Sequence, residues 1–159
     1  MNKVYLLLGS NMGNCKQQLG IATRHISKNV GKVIRKSHFY QTAAWGNEDQ
    51  PDFLNQLIIV QTKLDAVNCL QKTLEIEVLM GRVRTGKNAP RIIDIDILYF
   101  NKEIMNHTDL KLPHPAIQLR RFVLIPLNEL SPNFIHPVLG KTNHQLLKIC
   151  KDKLDVKKI

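Results

Sequence analysis

Two stretches of this chain repeat one apolar spacing, and each stands behind a strand-like run. From Cys15 to about Val30 the apolar positions Leu19, Ala22, Ile26 and Val30 step by three, four and four, while Lys16, Arg24 and Lys28 fall elsewhere on the wheel. After Asp65, a candidate N-cap, Val67, Leu70, Leu74 and Val78 step by the same intervals. Such spacing turns one stripe of a helix toward a core. The first helix, ended near Gly31, follows the apolar run KVYLLL at 3–8; the second, stopped at Gly81, follows FLNQLIIVQTK at 53–63. KVIRKS lies between them as a short strand, and RIIDIDILYF follows as a core strand. The intervening HFYQTAAWGNEDQP is rich in turn formers and reads as a long loop. The order β-α-β-β-α-β predicts an α+β, ferredoxin-like fold: an antiparallel sheet with two helices on one face. Residues after 100 are additions to that core, namely a hairpin near KEIM, a turn at the prolines of LKLPHPAIQLRRFVLIPLNEL, and a final helix begun by Thr142.

A chain of 159 residues is expected to form one domain over 1–159, and 43% hydrophobic with 23% charged residues is ordinary globular composition. Cys15, Cys69 and Cys150 are odd in number and form no CxxC pair, so neither a disulfide framework nor a zinc site is suggested. A reducing, cytoplasmic location follows as an expectation. MNKVYLLLGS has five apolar residues in a row, too few for a secretion signal, and no run approaches a membrane span. The formal charge is 23 − 13 = +10, concentrated in residues 1–40 and 141–159. It raises two readings: a solvated basic face, or a surface that draws anionic ligands.

The chemistry concentrates around residue 90. In IIDIDIL, Asp94 and Asp96 are two apart, so on a strand both carboxylates share one face, ~6.6 Å apart along the chain. Two carboxylates in an apolar strand repel one another and need positive compensation. Paired arginines would supply it; a hard divalent cation is the stronger reading, because only oxygen ligands are in sight and Mg²⁺ completes its shell with water and phosphates. The preceding RVRTGKNAPR carries Arg82, Arg84, Lys87 and Arg91 and no acid. Planar, permanently charged arginines beside a carboxylate pair describe a site for a nucleoside triphosphate with its Mg²⁺. His114, in the rigid LPHP segment, and Arg120 extend the anion-binding set. Trp45, Phe53 and Phe122 form a candidate aromatic slot, and Asn55, on the same strand face as Phe53, offers an amide able both to donate and to accept. That suits a flat heterocycle.

GSNMGN, FYQTAAW with DQPDFLN, GRVR, KNAPRIIDIDILYF and LPHPAIQLRRFVLIPLNEL stand in order from Gly9 to about Pro132, and together they resemble the 6-hydroxymethyl-7,8-dihydropterin pyrophosphokinases of folate biosynthesis. The resemblance implies a ferredoxin-like fold and the transfer of diphosphate from ATP to the pterin hydroxymethyl group, with two Mg²⁺ and release of AMP. It makes Asp94 and Asp96 the metal ligands and Arg82 and Arg91 the arginines that close on the triphosphate. Glu77, Arg84, Ile97, Lys111, His114 and Arg120 would line the ATP site, with Ile97 against adenine. Phe53 and Phe122 would sandwich the pterin, while Asn55 and the backbone of Thr42, Ala43 and Trp45 would read its edge. The chain departs from many relatives at Asn88 and Ala89, where they carry Trp-Gly, and at Ala43 and Ala44, where they carry a proline.

Two rival readings differ in class. An RNA-binding module of RRM type shares the element order, but VYLLLG and LIIVQT offer one tyrosine where such a module needs stacking aromatics. A small acylphosphate or nucleotide hydrolase on the same fold would release phosphate without a pterin. A monomer is expected on the ground that no apolar surface stripe is left over, with neither nucleic acid nor membrane as partner.

Overall fold

The computed structural model describes residues 1–44, 49–83 and 90–159. Trp45, Arg84, Lys87, Asn88 and Ala89 lie outside the described residues. The chain runs β1 (Asn2–Ser10), α1 (Cys15–Asn29), β2 (Gly31–Lys36), β3 (Tyr40–Thr42), β4 (Phe53–Thr62), α2 (Ala66–Leu79), β5 (Asp94–Phe100), β6 (Met105–Asn106), β7 (Lys111–Leu112), α3 (Arg121–Leu130), α4 (Asn143–Ile149) and β8 (Val156–Lys158). In the main sheet β1 is flanked antiparallel by β4 and β5. β4 is long enough to hold two partners on its far edge: β2 pairs with its end (Gly31↔Thr62) and β3 with its beginning (Tyr40↔Asn55), and β8 adds beyond β3. The expected ferredoxin-like order is therefore present, with its second strand divided in two.

The middles of the central strands, Val4–Leu8 of β1 and Leu57–Val60 of β4, are apolar on both sides because both sheet faces are covered. Val4, Leu6 and Leu8 of β1 pack with Leu19, Ala22 and Ile26 of α1 and with Cys69 and Ile76 of α2, while Tyr5 and Leu7 pack with Val123, Leu124 and Leu127 of α3 and Leu146 of α4. The additions after residue 100 thus form a second helical layer. That layer covers the sheet face on which an RNA-binding module of this topology stacks bases.

Three expectations need correction. The segment read wholly as loop contains β3, three residues whose buried, exposed, buried alternation is too short to signal a strand. α1 ends at Asn29, near Gly31 as expected, and Gly31 itself opens β2: a Cβ there would stand 2.0 Å from the Gln61 carbonyl oxygen, so the glycine is needed for close strand approach. On α2, capped by Asp65 and ended before Gly81 at φ +90°, the buried face is Ala66, Cys69, Thr73, Ile76 and Glu77. Val67, Leu74 and Val78 are exposed and Leu70 is half-buried, so an apolar stripe is left over after all. The helix turns small side chains to the sheet because they permit close packing, and it turns Glu77 inward because that carboxylate has partners there. Finally, the turn expected at the prolines of LKLPHPAIQLRRFVLIPLNEL forms at Pro113 and Pro115, whereas Pro126 stands inside helix α3.

Candidate active site

Strand alternation sets the floor of the site. Asp94 and Asp96 share the sheet face covered further along by α3, paired in register with Gly9 and Leu7 of β1. Ile95 and Ile97 point the other way into the core beneath α1 and α2. A cavity of about 310 Å³ opens over this floor, lined by Leu7, Gly9, Thr42, Ala43, Ala44, Phe53, Asn55, Arg82, Arg91, Asp94, Asp96, His114, Arg120 and Phe122. It has an ionic end and an aromatic end.

At the ionic end Asp94 is gripped from two sides. Arg82 Nη1 donates to its Oδ1 at 2.8 Å and Arg91 Nη1 to its Oδ2 at 3.0 Å. Arg82 is itself held by buried Glu77, 3.0 Å from its Oε2, which also accepts the Ile95 N–H at 2.7 Å. Asp96 differs: burial and the neighbouring Asp94 carboxylate push its carboxyl up to about 7, against the opposing pull of Arg120 and Arg91 and the further push of Glu77. The carboxylate pair is under-compensated by the arginines around it, the condition that an added cation relieves. Among the described residues no group of three or more His, Cys, Asp or Glu gathers as a metal cluster. A two-carboxylate set fits Mg²⁺, which draws its other ligands from water and phosphate.

His114 Nδ1 accepts the Ala116 N–H at 3.1 Å, which leaves a proton on Nε2. Burial, and then the charge of Arg120, lower its pKa to about 4 against a small opposing pull from Asp94, so at neutral pH the ring is an uncharged donor.

At the aromatic end, Phe53 and Phe122 line the cavity with Asn55, whose Nδ2 donates to Thr42 Oγ1 at 3.2 Å. Gly9 keeps this end open, since a Cβ there would meet Asn55 Oδ1 at 2.9 Å.

Of the residues singled out in the sequence, the fold gathers Arg82, Arg91, Asp94, Asp96, His114, Arg120, Thr42, Ala43, Phe53, Asn55 and Phe122 around this cavity. Glu77 stands behind Arg82, Ile97 lies in the core on the opposite sheet face, and Lys111 is exposed on β7; none of the three lines the cavity. Trp45 and Arg84 lie outside the described residues. Sequence reasoning missed Gly9 and Asn11. Buried Asn11 donates its N–H to the Arg91 carbonyl at 3.0 Å and accepts the Arg91 N–H on Oδ1 at 2.8 Å, and its Nδ2 reaches Gln50 Oε1 at 2.9 Å and the Pro51 carbonyl at 3.2 Å. One side chain thus fixes the backbone beside both ends of the cavity. Its only signal was GSNMGN, read as a turn, though Gly9 and Ser10 belong to β1.

A family model described as 7,8-dihydro-6-hydroxymethylpterin-pyrophosphokinase (HPPK) matches residues 5–132. The chain belongs to this family. A pyrophosphokinase of this family from Methylorubrum extorquens is 38% identical over 148 residues, covering 92% of each chain. Another from Aquifex aeolicus is 38% identical over 141 residues, covering 89% of this chain and 88% of that one. The folic acid synthesis protein FOL1 of Dictyostelium discoideum is 39% identical over 145 residues, but this chain spans only 22% of its length. Among solved structures, the Plasmodium falciparum HPPK-DHPS shares the fold with a TM-score of 0.75 at 22% identity, over 93% of this chain and 43% of that one. These relatives agree with the pyrophosphokinase reading and give the RNA-binding one no support.

Proposed function

We propose that this chain transfers a diphosphate group from ATP to the hydroxymethyl oxygen of 6-hydroxymethyl-7,8-dihydropterin. The observation that carries the reading is one cavity with a carboxylate and arginine end and an aromatic end joined by an amide, which supports two substrates held in contact. In the reaction the pterin hydroxyl oxygen forms a bond to the β-phosphorus, the bond from that phosphorus to the α,β-bridging oxygen breaks, and AMP leaves. The hydroxyl proton passes to solvent, and no side chain is assigned as its base. Asp94 and Asp96 would hold two Mg²⁺, which neutralise phosphate charge and make the hydroxyl more acidic when bound. Arg82 and Arg91, now on Asp94, would turn their forks to the phosphate oxygens, and neutral His114 would donate through Nε2. Phe53 and Phe122 would enclose the pterin, and Asn55 would read its edge. Positioning and charge neutralisation supply most of the acceleration.

The same proposal includes a monomer acting in the cytoplasm on small molecules, with neither nucleic acid nor membrane as partner. The three cysteines are unpaired, and no helix among the described residues is long and apolar enough to cross a membrane.

The test is a product assay with ATP, Mg²⁺ and the pterin, omitting each in turn. AMP and pterin diphosphate forming only when all three are present supports the reading. Phosphate released without pterin would replace it with a hydrolase. Asp96→Ala should abolish turnover with an unchanged circular dichroism spectrum, and normal activity in that variant would remove Asp96 from the metal site.

A further inference from the structure

The aromatic end of the cavity is walled by elements of different kinds. Phe53 and Asn55 lie on long β4, Thr42 on three-residue β3, and Phe122 in the first turn of α3. Within the sheet β3 is held by three residue pairs to β4 and three to β8, leaving its distance from α3 to be set by side chains.

One carboxylate spans that gap. Glu129, in the last turn of α3, accepts four hydrogen bonds, all from residues 38 to 40. The His38 N–H reaches both carboxylate oxygens at 3.2 Å, His38 Nδ1 reaches Oε2 at 2.9 Å, and the Tyr40 hydroxyl reaches Oε1 at 2.5 Å. Beside it, Arg35 Nη1 donates to the Leu130 carbonyl at 2.6 Å. Two periodicities carry this clasp to the cavity. Tyr40 and Thr42 are two apart on a strand and are both buried, so they share a face; Asn55, the register partner of Tyr40, is bonded to Thr42. Phe122 and Glu129 are seven apart on a helix, on nearly one face and ~10.5 Å apart along its axis. The helix that presents Phe122 is therefore fixed to the strand that presents Thr42 by a carboxylate outside the cavity.

We propose that Glu129 is a positioning residue for pterin recognition: by gripping His38 and Tyr40 it sets the separation between Phe122 and the Thr42–Asn55 wall. This rests on the assignment of the aromatic end to the pterin. The proposed ATP contacts at Asp94, Asp96, Arg82 and Arg91 lie on other elements and do not depend on the clasp; Arg120, the N-cap of α3, is the ATP-side residue carried with the clasped helix, at the end away from Glu129. A charge-satisfied strap is suited to this work because small displacements of a binding wall carry large penalties.

The experiment compares Glu129→Ala, Tyr40→Phe and His38→Ala with the unaltered enzyme in steady-state kinetics for both substrates, alongside Tm. The unaltered enzyme tests the functional reading by itself: without pterin-dependent AMP formation that reading fails, whatever the variants do. Given turnover, Glu129→Ala should raise the pterin KM by about tenfold, with the ATP KM changed by less than about threefold. Tyr40→Phe, which removes one bond and keeps the ring, should show the same split more weakly if Glu129→Ala does not fold. A lowered Tm with both KM values unchanged would make the clasp merely structural and overturn the proposal, as would equal loss in the two KM values.

Discussion

At the scale of single residues the site is defined by which charges are matched. Asp94 holds two arginines and Asp96 lies beside it with its carboxyl raised, so the arginines are held by ion pairs for which a phosphate group would compete. On the proposed mechanism Arg91 would give up its Asp94 contact on turning to phosphate, so its gain on binding ATP would be partly cancelled while its gain on going from bound ATP to the transition state would not. Arg91→Ala should accordingly lower kcat by about 100-fold or more while ATP affinity changes little, measured by single-turnover kinetics beside equilibrium nucleotide binding. Equal losses in both would make Arg91 a ground-state clamp. Gly9 makes the complementary case for space. Its missing Cβ leaves room for Asn55 Oδ1, and because that atom is the end of a side chain, Gly9→Ala should displace the amide rather than unfold the strand. The expected result is a raised pterin KM with Tm nearly unchanged; a normal pterin KM would show that Asn55 does not read the substrate.

At the scale of elements, sequence legibility followed the length of the pattern. β1, β4, β5 and α1 are long enough to be read, and the spacing of Asp94 and Asp96 placed both on one face because the pairing of β5 with β1 is regular from Asp94 to Ile97, the register shift falling beyond them at Leu98. On α2 the apolar stripe and the buried face diverged, since a helix beside a sheet turns toward it what packs closest and what has partners inside, and those were Cys69, Thr73 and Glu77. β3 and β8 have three residues each and declare themselves only through pairing. The roles of Gly9 and Asn11 depend on register and loop closure, which no local spacing encodes. The clasp on α3 is likewise invisible in sequence, with Tyr40 and Glu129 standing 89 positions apart, yet it has a measurable signature. Burial alone raises the Glu129 carboxyl, and hydrogen bonds from Tyr40 and His38 outweigh that and leave it below the usual range. A carboxyl lowered in the folded state stabilises the fold above its unfolded value of about 4.3, and the contribution is lost as pH falls through the lowered folded value. Denaturation of Tyr40→Phe beside the unaltered protein should show a stability gap at pH 7 that narrows on acidification toward pH 3. A gap constant with pH would mean that the hydroxyl contributes packing and not carboxylate stabilisation.

At the scale of the molecule, the second helical layer decides what the surface can do. With α3 and α4 over one sheet face and α1 and α2 over the other, both faces of the sheet are covered among the described residues, and exposed apolar side chains remain on the outer side of α2 and, separately, at Leu119, Leu139 and Ile149 beside α4. Val67, Leu74, Val78 and Leu79 are 49%, 40%, 72% and 69% exposed on α2, which removes the original ground for expecting a monomer. The exposed area on α2 is nevertheless small. A helix of 14 residues is ~21 Å long, and one stripe along it falls within the ~300–600 Å² patch normal on monomers, below the ~800 Å² per partner of a stable interface. The Lys72–Glu75 pair lies on the same helix and dilutes its apolar character, and a formal charge of +10 opposes close approach of two copies. Sedimentation velocity at about 10 µM protein and physiological salt, where screening extends ~8 Å, should therefore give a single species of monomer mass. A dimer that dissociates on Val78→Asp would show instead that this stripe is an interface, and would overturn the area argument together with the monomer.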